Sequence, residues 1–200
     1  MISHIQAVIQ RIQFADGIAP LLMRLYLAPI MMQAGWNKFQ SFDSTVAWFG
    51  NADWGLGLPF PELMVILAAG TELIGGALLV IGLAVRWVSI PLMATMLVAA
   101  FSVHWGNGWL AIADSSSWLA NEKVLESAER LSRAKEILQE HGNYEWLTGR
   151  GSLVVLNNGI EFAATYFVML LSLFFTGGGR FTSVDHVIAQ RFQSPSSALS

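Results

Sequence analysis

Four stretches of this chain, 18–39, 61–83, 87–105 and 152–176, are almost wholly apolar. A hydrocarbon core about 30 Å thick is crossed by about 20 apolar residues in a helix. Lipid offers the backbone of such a segment no water, so it must satisfy its N–H and C=O groups internally. The sequence therefore predicts an all-α polytopic membrane protein, a four-transmembrane-helix bundle whose first partner is the lipid bilayer. Charge is distributed to match. Of 25 charged residues, 12 fall in positions 107–151, and the other 155 positions share 13. That pattern excludes a nucleic-acid binder and a disordered chain. It describes a membrane domain over 18–176 with one polar insert, 106–151.

Local signals support the division. Pro61 suits the first position of a helix, and Gly177-Gly178-Gly179 is a natural stop. The second and third spans are close enough to form an antiparallel hairpin. Trp36, Trp87 and Trp105 sit at span ends and the other five tryptophans in connections, as expected of side chains that favour the headgroup layer. The insert predicts a short extracytoplasmic helix over 122–141, with Asn121 and Gly142 as caps, Val124, Ala128, Leu131 and Leu138 as its apolar stripe, and Glu126–Arg130 and Glu129–Arg133 as ion pairs. Segment 1–17 reads as an interfacial amphipathic helix. It lacks the pattern of a cleaved signal, so the first apolar run is expected to act as insertion signal and anchor. Arg11, Arg86, Arg180 and Arg191 gather on one side, which predicts cytoplasmic N and C termini and a cytoplasmic tail over 177–200.

Ionisable groups inside a bilayer are costly and should pair or line a wet cavity. Arg24, Glu72 and Glu161 are expected deep in spans. Glu161 is placed nine residues into its helix, about 14 Å from the outer end at the helical rise. An Arg24–Glu72 or Arg24–Glu161 pair is feasible. One arginine cannot neutralise two carboxylates, so a proton, a cation, Lys38 or a ligand must complete the balance. Ala68, Glu72 and Gly76 form a small-residue groove, and Asn157, Asn158 and Glu161 a polar helix face. These groups, with His104 and Lys38, define a candidate outward-opening pocket. No catalytic residue and no metal site is specified. Zero cysteines exclude disulfides, zinc–thiolate sites, iron–sulfur clusters and a CxxC redox step by this chain.

Two segments carry a family resemblance. Arg24-Leu-Tyr-Leu-Ala-Pro-Ile-Met-Met-Gln-Ala-Gly-Trp-Asn-Lys38 resembles the first-span pattern of the DoxX family. Glu72-Leu-Ile-Gly-Gly-Ala-Leu-Leu-Val-Ile-Gly-Leu-Ala-Val-Arg86 is similar to its second-span signature. The long insert, His104-Trp-Gly-Asn-Gly-Trp109 and Leu156-Asn-Asn-Gly-Ile-Glu161 look like a subgroup found beside small copper-binding modified peptides. The resemblance implies a bundle in the bacterial inner membrane. It also implies membership of a membrane redox or maturation complex, quinone-linked or copper-peptide-associated, with a membrane or periplasmic protein as partner. No cofactor is evident from the sequence itself, and quinone and copper are the candidates the resemblance leaves open. Arg24, Lys38 and Glu72 are the family-motif residues. Two other readings stand beside this one: an assembly factor that docks a partner through its insert, and a ligand- or cation-binding transporter, which with four spans would need to be a homo-oligomer.

Overall fold

The computed structural model describes residues 16–192. The expected amphipathic helix over 1–17 and the end of the tail therefore lie almost wholly outside the described residues. Among the described residues eight α-helices follow one another: α1 (Ile18–Gln40), α2 (Phe42–Gly50), α3 (Pro61–Ile81), α4 (Val85–Val98), α5 (Glu122–His141), α6 (Tyr144–Thr148), α7 (Glu161–Thr176) and α8 (Val184–Phe192). Among the described residues the chain divides into two compact units, 16–95 with 166–192, and 96–165.

In the first unit α1 and α3 pack along a seam of small residues. Arg24, Leu27, Ala28, Met31 and Gly35 are buried on α1; Val65, Ala69, Glu72, Gly76 and Leu79 are buried on α3. Both sets step by three and four residues, the spacing that keeps side chains on one helix face. The two backbones come close because the seam lacks side chains at its centre. A Cβ on Gly35 would sit 2.6 Å from the Ala69 carbonyl, and one on Gly76 would sit 2.9 Å from the Ala28 carbonyl. Position rises along one helix as it falls along the other, so the pair is antiparallel. Leu92 of α4 fills the space over Gly75. The outward faces are rich in apolar residues such as Leu22, Ile66, Ile74 and Ile90, as lipid-facing surfaces should be.

The helix ends follow the sequence closely. Pro61 is the first residue of α3, after Phe60 in the left-handed region (φ 51°). Gly82 ends α3 at φ 71°, and Gly177 ends α7 at φ 77°. Three segments among the described residues, Ile18–Gln40, Pro61–Ile81 and Val85–Asn107, are long and apolar enough to cross a membrane. The last passes from α4 through a π-helical stretch, Ala99–His104, into one 3-10 turn.

The fourth expected span, 152–176, requires correction. Its helix begins only at Glu161 and has 16 residues. The preceding residues are not helical and pair with the connection after α4. Ile112 and Leu156 form an antiparallel bridge, and Ala113 N donates to Val155 O at 2.9 Å. Val154 and Val155 are β-branched and fit an extended segment as well as a helix. Their apolarity alone did not distinguish the two.

In the second unit α5 matches the expected 122–141. Asn121 caps it by accepting from Val124 N at 3.1 Å. Gly142 N donates to Leu138 O at 2.9 Å, with Gly142 itself extended. The Glu126–Arg130 pair is present, whereas Arg133 pairs with Glu136 at 2.8 Å instead of Glu129.

Candidate functional site

The α1–α3 seam decides what happens to the buried charges. Lys38 lies one turn beyond Gly35, and Glu72 lies one turn before Gly76. Because the helices run antiparallel with a close crossing at those glycines, the two side chains meet. Lys38 Nζ donates to Glu72 Oε2 at 2.6 Å. The pair is asymmetric: the lysine side chain retains 26% of its exposure and the carboxylate 5%. A charge-assisted bond of this length is strong. It also leaves the ammonium two further donors on its more open side.

Arg24 lies 14 residues before Lys38 on the same stripe, about 21 Å away by helical rise. The structure gives it no carboxylate partner on Glu72, which corrects that feasible pairing. Its fully buried guanidinium donates to two carbonyls instead, Leu79 O at 3.2 Å and Thr182 O at 2.8 Å. Among the described residues its Nε has no acceptor. The C-terminal end of α3 supplies one carbonyl because its last turn has unpaired acceptors. Gly82 is required there, since a Cβ would run into Arg24 Nη1. Asp185 stands nearby and holds the start of α4, accepting from Ala84 N at 2.6 Å and Val85 N at 2.9 Å. Arg24 and Asp185 thus tie the ends of α3 and α4 to the segment after α7.

The remaining candidates belong to the second unit and form a clasp. Asn157 Nδ2 donates to Asn107 O at 2.9 Å and Leu110 O at 2.6 Å. His104 Nδ1 is 2.8 Å from Asn158 O, a contact that places the ring proton on Nδ1. Asn158 adopts φ 57°, a conformation asparagine tolerates better than most residues. Glu161 Oε2 accepts from Ala111 N at 2.9 Å. Being the first residue of α7, it is not nine residues inside a helix, so the expected depth is corrected. An acidic residue also suits a helix N-terminus, where the backbone presents unpaired N–H groups. Asn157 and Asn158 precede that helix and share no helical face with Glu161. In the same unit Asp114 accepts from Ser116 N and Oγ at 2.9 and 2.6 Å, which holds its carboxyl below the usual carboxylate range.

The seven sequence candidates thus resolve into a Lys38–Glu72 pair and Arg24 in the first unit, and His104, Asn157, Asn158 and Glu161 in the second. Thr182 and Asp185 are functional contacts that the sequence candidates do not include. Each sits 100 or more positions from the groups it contacts, and nothing in the local sequence signals such a pairing.

Among the described residues the candidate side chains do not assemble the donor set of a metal centre. Among the described residues no group of three or more His, Cys, Asp or Glu side chains could hold an ion. His104 Nδ1 is engaged with a carbonyl, and Met96 is a buried packing residue. The Lys38–Glu72 pair does suit a carbonyl-bearing ligand, because it offers donors beside a group able to hold a proton.

Residues 19–105 match the DoxX family model, so the resemblance carried by the two signatures holds over that segment. The chain is 36% identical over 86 residues to a Bacillus subtilis (strain 168) protein named "Putative oxidoreductase CatD". The match covers 43% of this chain and 60% of that relative. No solved structure matches the chain.

Proposed function

We propose that this membrane protein, DoxX-like over residues 19–105, is a subunit of a redox or maturation complex in which the Lys38–Glu72 pair receives a quinone-class ligand. The observation that carries the reading is the asymmetry of that pair: a partly open ammonium fixed on a nearly sealed carboxylate. The oxidoreductase name of the relative supports it. Bound quinone would supply two-electron, two-proton carrier chemistry. Lys38 would donate to a ligand carbonyl, and Glu72 would orient the ammonium and hold or return a proton at Oε2. With no cysteine in the chain, electrons are assigned to a partner subunit. In this reading the chain lies in a bacterial inner membrane, crosses it four times with α7 as the short fourth span, and has cytoplasmic termini.

The test is titration of the purified full chain with ubiquinone-1, read by quenching of tryptophan fluorescence; Trp36 lies two residues from Lys38. Saturable quenching is expected, with at least a tenfold weaker Kd in Lys38→Met, a loss of about 1.4 kcal/mol. An identical titration in the variant, or no saturation in either protein, overturns the ligand assignment. Purification in mild detergent without any accompanying protein overturns the subunit assignment.

A second reading is favoured by one observation. The insert exposes Trp118 (91%) and Trp146 (77%), with Leu125 and Ile137 of α5 also exposed. Such exposed apolar groups suit docking of a partner. If the insert is the docking element and Lys38–Glu72 only a clamp, Trp118→Ser with Trp146→Ser will release the partner while the quinone titration stays absent. The transporter reading loses its second deep carboxylate, now that Glu161 starts a helix.

A further inference from the structure

A second polar feature lies in the first unit, where α3 ends, α4 begins and α7 ends. It is a cleft of about 340 Å³ lined by Arg86, Trp87, Gly177–Gly179, Arg180, Asp185 and His186. Its size falls within the range of small-ligand sites, about 300–1,000 Å³.

Three observations define its chemistry. First, its cations are only lightly neutralised. None of the five ion pairs among the described residues uses Arg86. Arg180 has one exposed partner, Asp16, at 3.5 Å. The cleft's own carboxylate, Asp185, has both oxygens engaged by Ala84 N and Val85 N. His186 packs edge-on to Phe181 at 5.2 Å and meets Gln190 through Nε2.

Second, the wall opposite Arg86 is a bare backbone turn. A Cβ on Gly177 would stand 3.2 Å from Arg86 Nε, and Gly178 is hemmed in by Ser183 and Val85. Among the described residues no acceptor takes the N–H groups of Gly178 and Gly179, although Gly178 is buried. Buried N–H groups in folded proteins are nearly always satisfied.

Third, the cleft lies where span helices terminate; exposed Trp87 (77%) lines it, and exposed Phe181 (68%) packs on its His186. Phe181 is held at φ 64°, an uncommon conformation for a bulky residue. Tryptophan at a helix end favours the headgroup layer.

We infer that this cleft binds the phosphate of an anionic phospholipid headgroup. Two guanidinium groups match phosphate oxygens in geometry and charge. The glycine turn leaves room for the headgroup to approach the backbone. The ligand's acyl chains would then lie along the apolar faces of α4 and α7. This site is separate from Lys38–Glu72 and does not depend on the ligand assigned there.

The test uses the full chain in mixed micelles containing phosphatidylglycerol or phosphatidylcholine, with retained lipid counted by native mass spectrometry. The wild-type chain should retain phosphatidylglycerol at least tenfold better, and Arg86→Gln/Arg180→Gln should lose that preference. Inorganic phosphate and glycerol 3-phosphate form the competing arm and should displace the lipid only at far higher concentration. Equal retention of the two lipids by the wild-type chain overturns the proposal without any variant. So does a variant that folds and keeps the preference. Displacement by inorganic phosphate at the lipid's own concentration overturns the lipid assignment in favour of a free-anion site.

Discussion

Lys38 and Glu72 are each explicable only through the other. A carboxylate at the middle of an apolar helix is costly unless paired, and truncating one partner of a buried pair strands the other, at about 3–5 kcal/mol. The partial exposure of Lys38 places the expected loss toward or below the lower figure. Lys38→Met should therefore destabilise the protein, while Lys38→Met/Glu72→Leu, which removes both charges, should recover most of the loss. Thermal unfolding of both variants in the same detergent checks this; equal loss in the double variant would show that the pair contributes through packing and not through charge. The three deep charges named by the sequence meet different ends. Arg24 and Glu72 are buried as expected. Glu161 is not deep, because the nine positions before it, assigned to its helix, are not helical. The sequence already offered Lys38 as one way to balance the negative charge, and the antiparallel seam is what brings it to Glu72.

At the scale of elements, α3 shows how two glycines in one helix differ. A Cβ on Gly76 would sit 2.6 Å from Met32 Cγ and 2.9 Å from the Ala28 carbonyl, whereas one on Gly70 meets nothing within 4 Å. Gly76→Ala should cost about 1–3 kcal/mol by overpacking the seam. Gly70→Ala should be neutral or stabilising by up to about 1 kcal/mol, since alanine is the better helix former. Melting both variants side by side tests the register of α1 against α3; equal effects would refute that register. The elements themselves were largely legible. Helices α1, α3 and α5 start and stop within about two residues of their sequence-based limits, the usual tolerance, because proline, asparagine, glycine and the apolar runs act locally. The start of α7 was not legible. The pairing of 155–160 depends on backbone groups at positions 108–113, and hydropathy reports burial without reporting hydrogen-bond partners.

At the scale of the whole molecule the proposed topology has a direct check, made easy by the absence of native cysteine. With cytoplasmic termini, a membrane-impermeant maleimide added to intact cells should label Ser116→Cys in the insert and spare Gln190→Cys in α8 until the membrane is opened. The reverse pattern would invert the orientation and put the arginine-lined cleft on the outer face. The sequence by itself determined the class of the protein, an all-helical membrane chain with one polar insert, because long apolar runs in lipid leave the backbone little alternative to helix. It also determined which residues would need partners, since charge in an apolar run cannot remain unsatisfied. Only the tertiary structure decided who those partners are. Lys38 with Glu72, Arg24 with the carbonyls of Leu79 and Thr182, and Asp185 with the start of α4 are contacts between positions 34 to 158 residues apart. They are fixed by which helix faces come together, and the close approach permitted by Gly35 and Gly76 sets the α1–α3 register on which the Lys38–Glu72 pair depends.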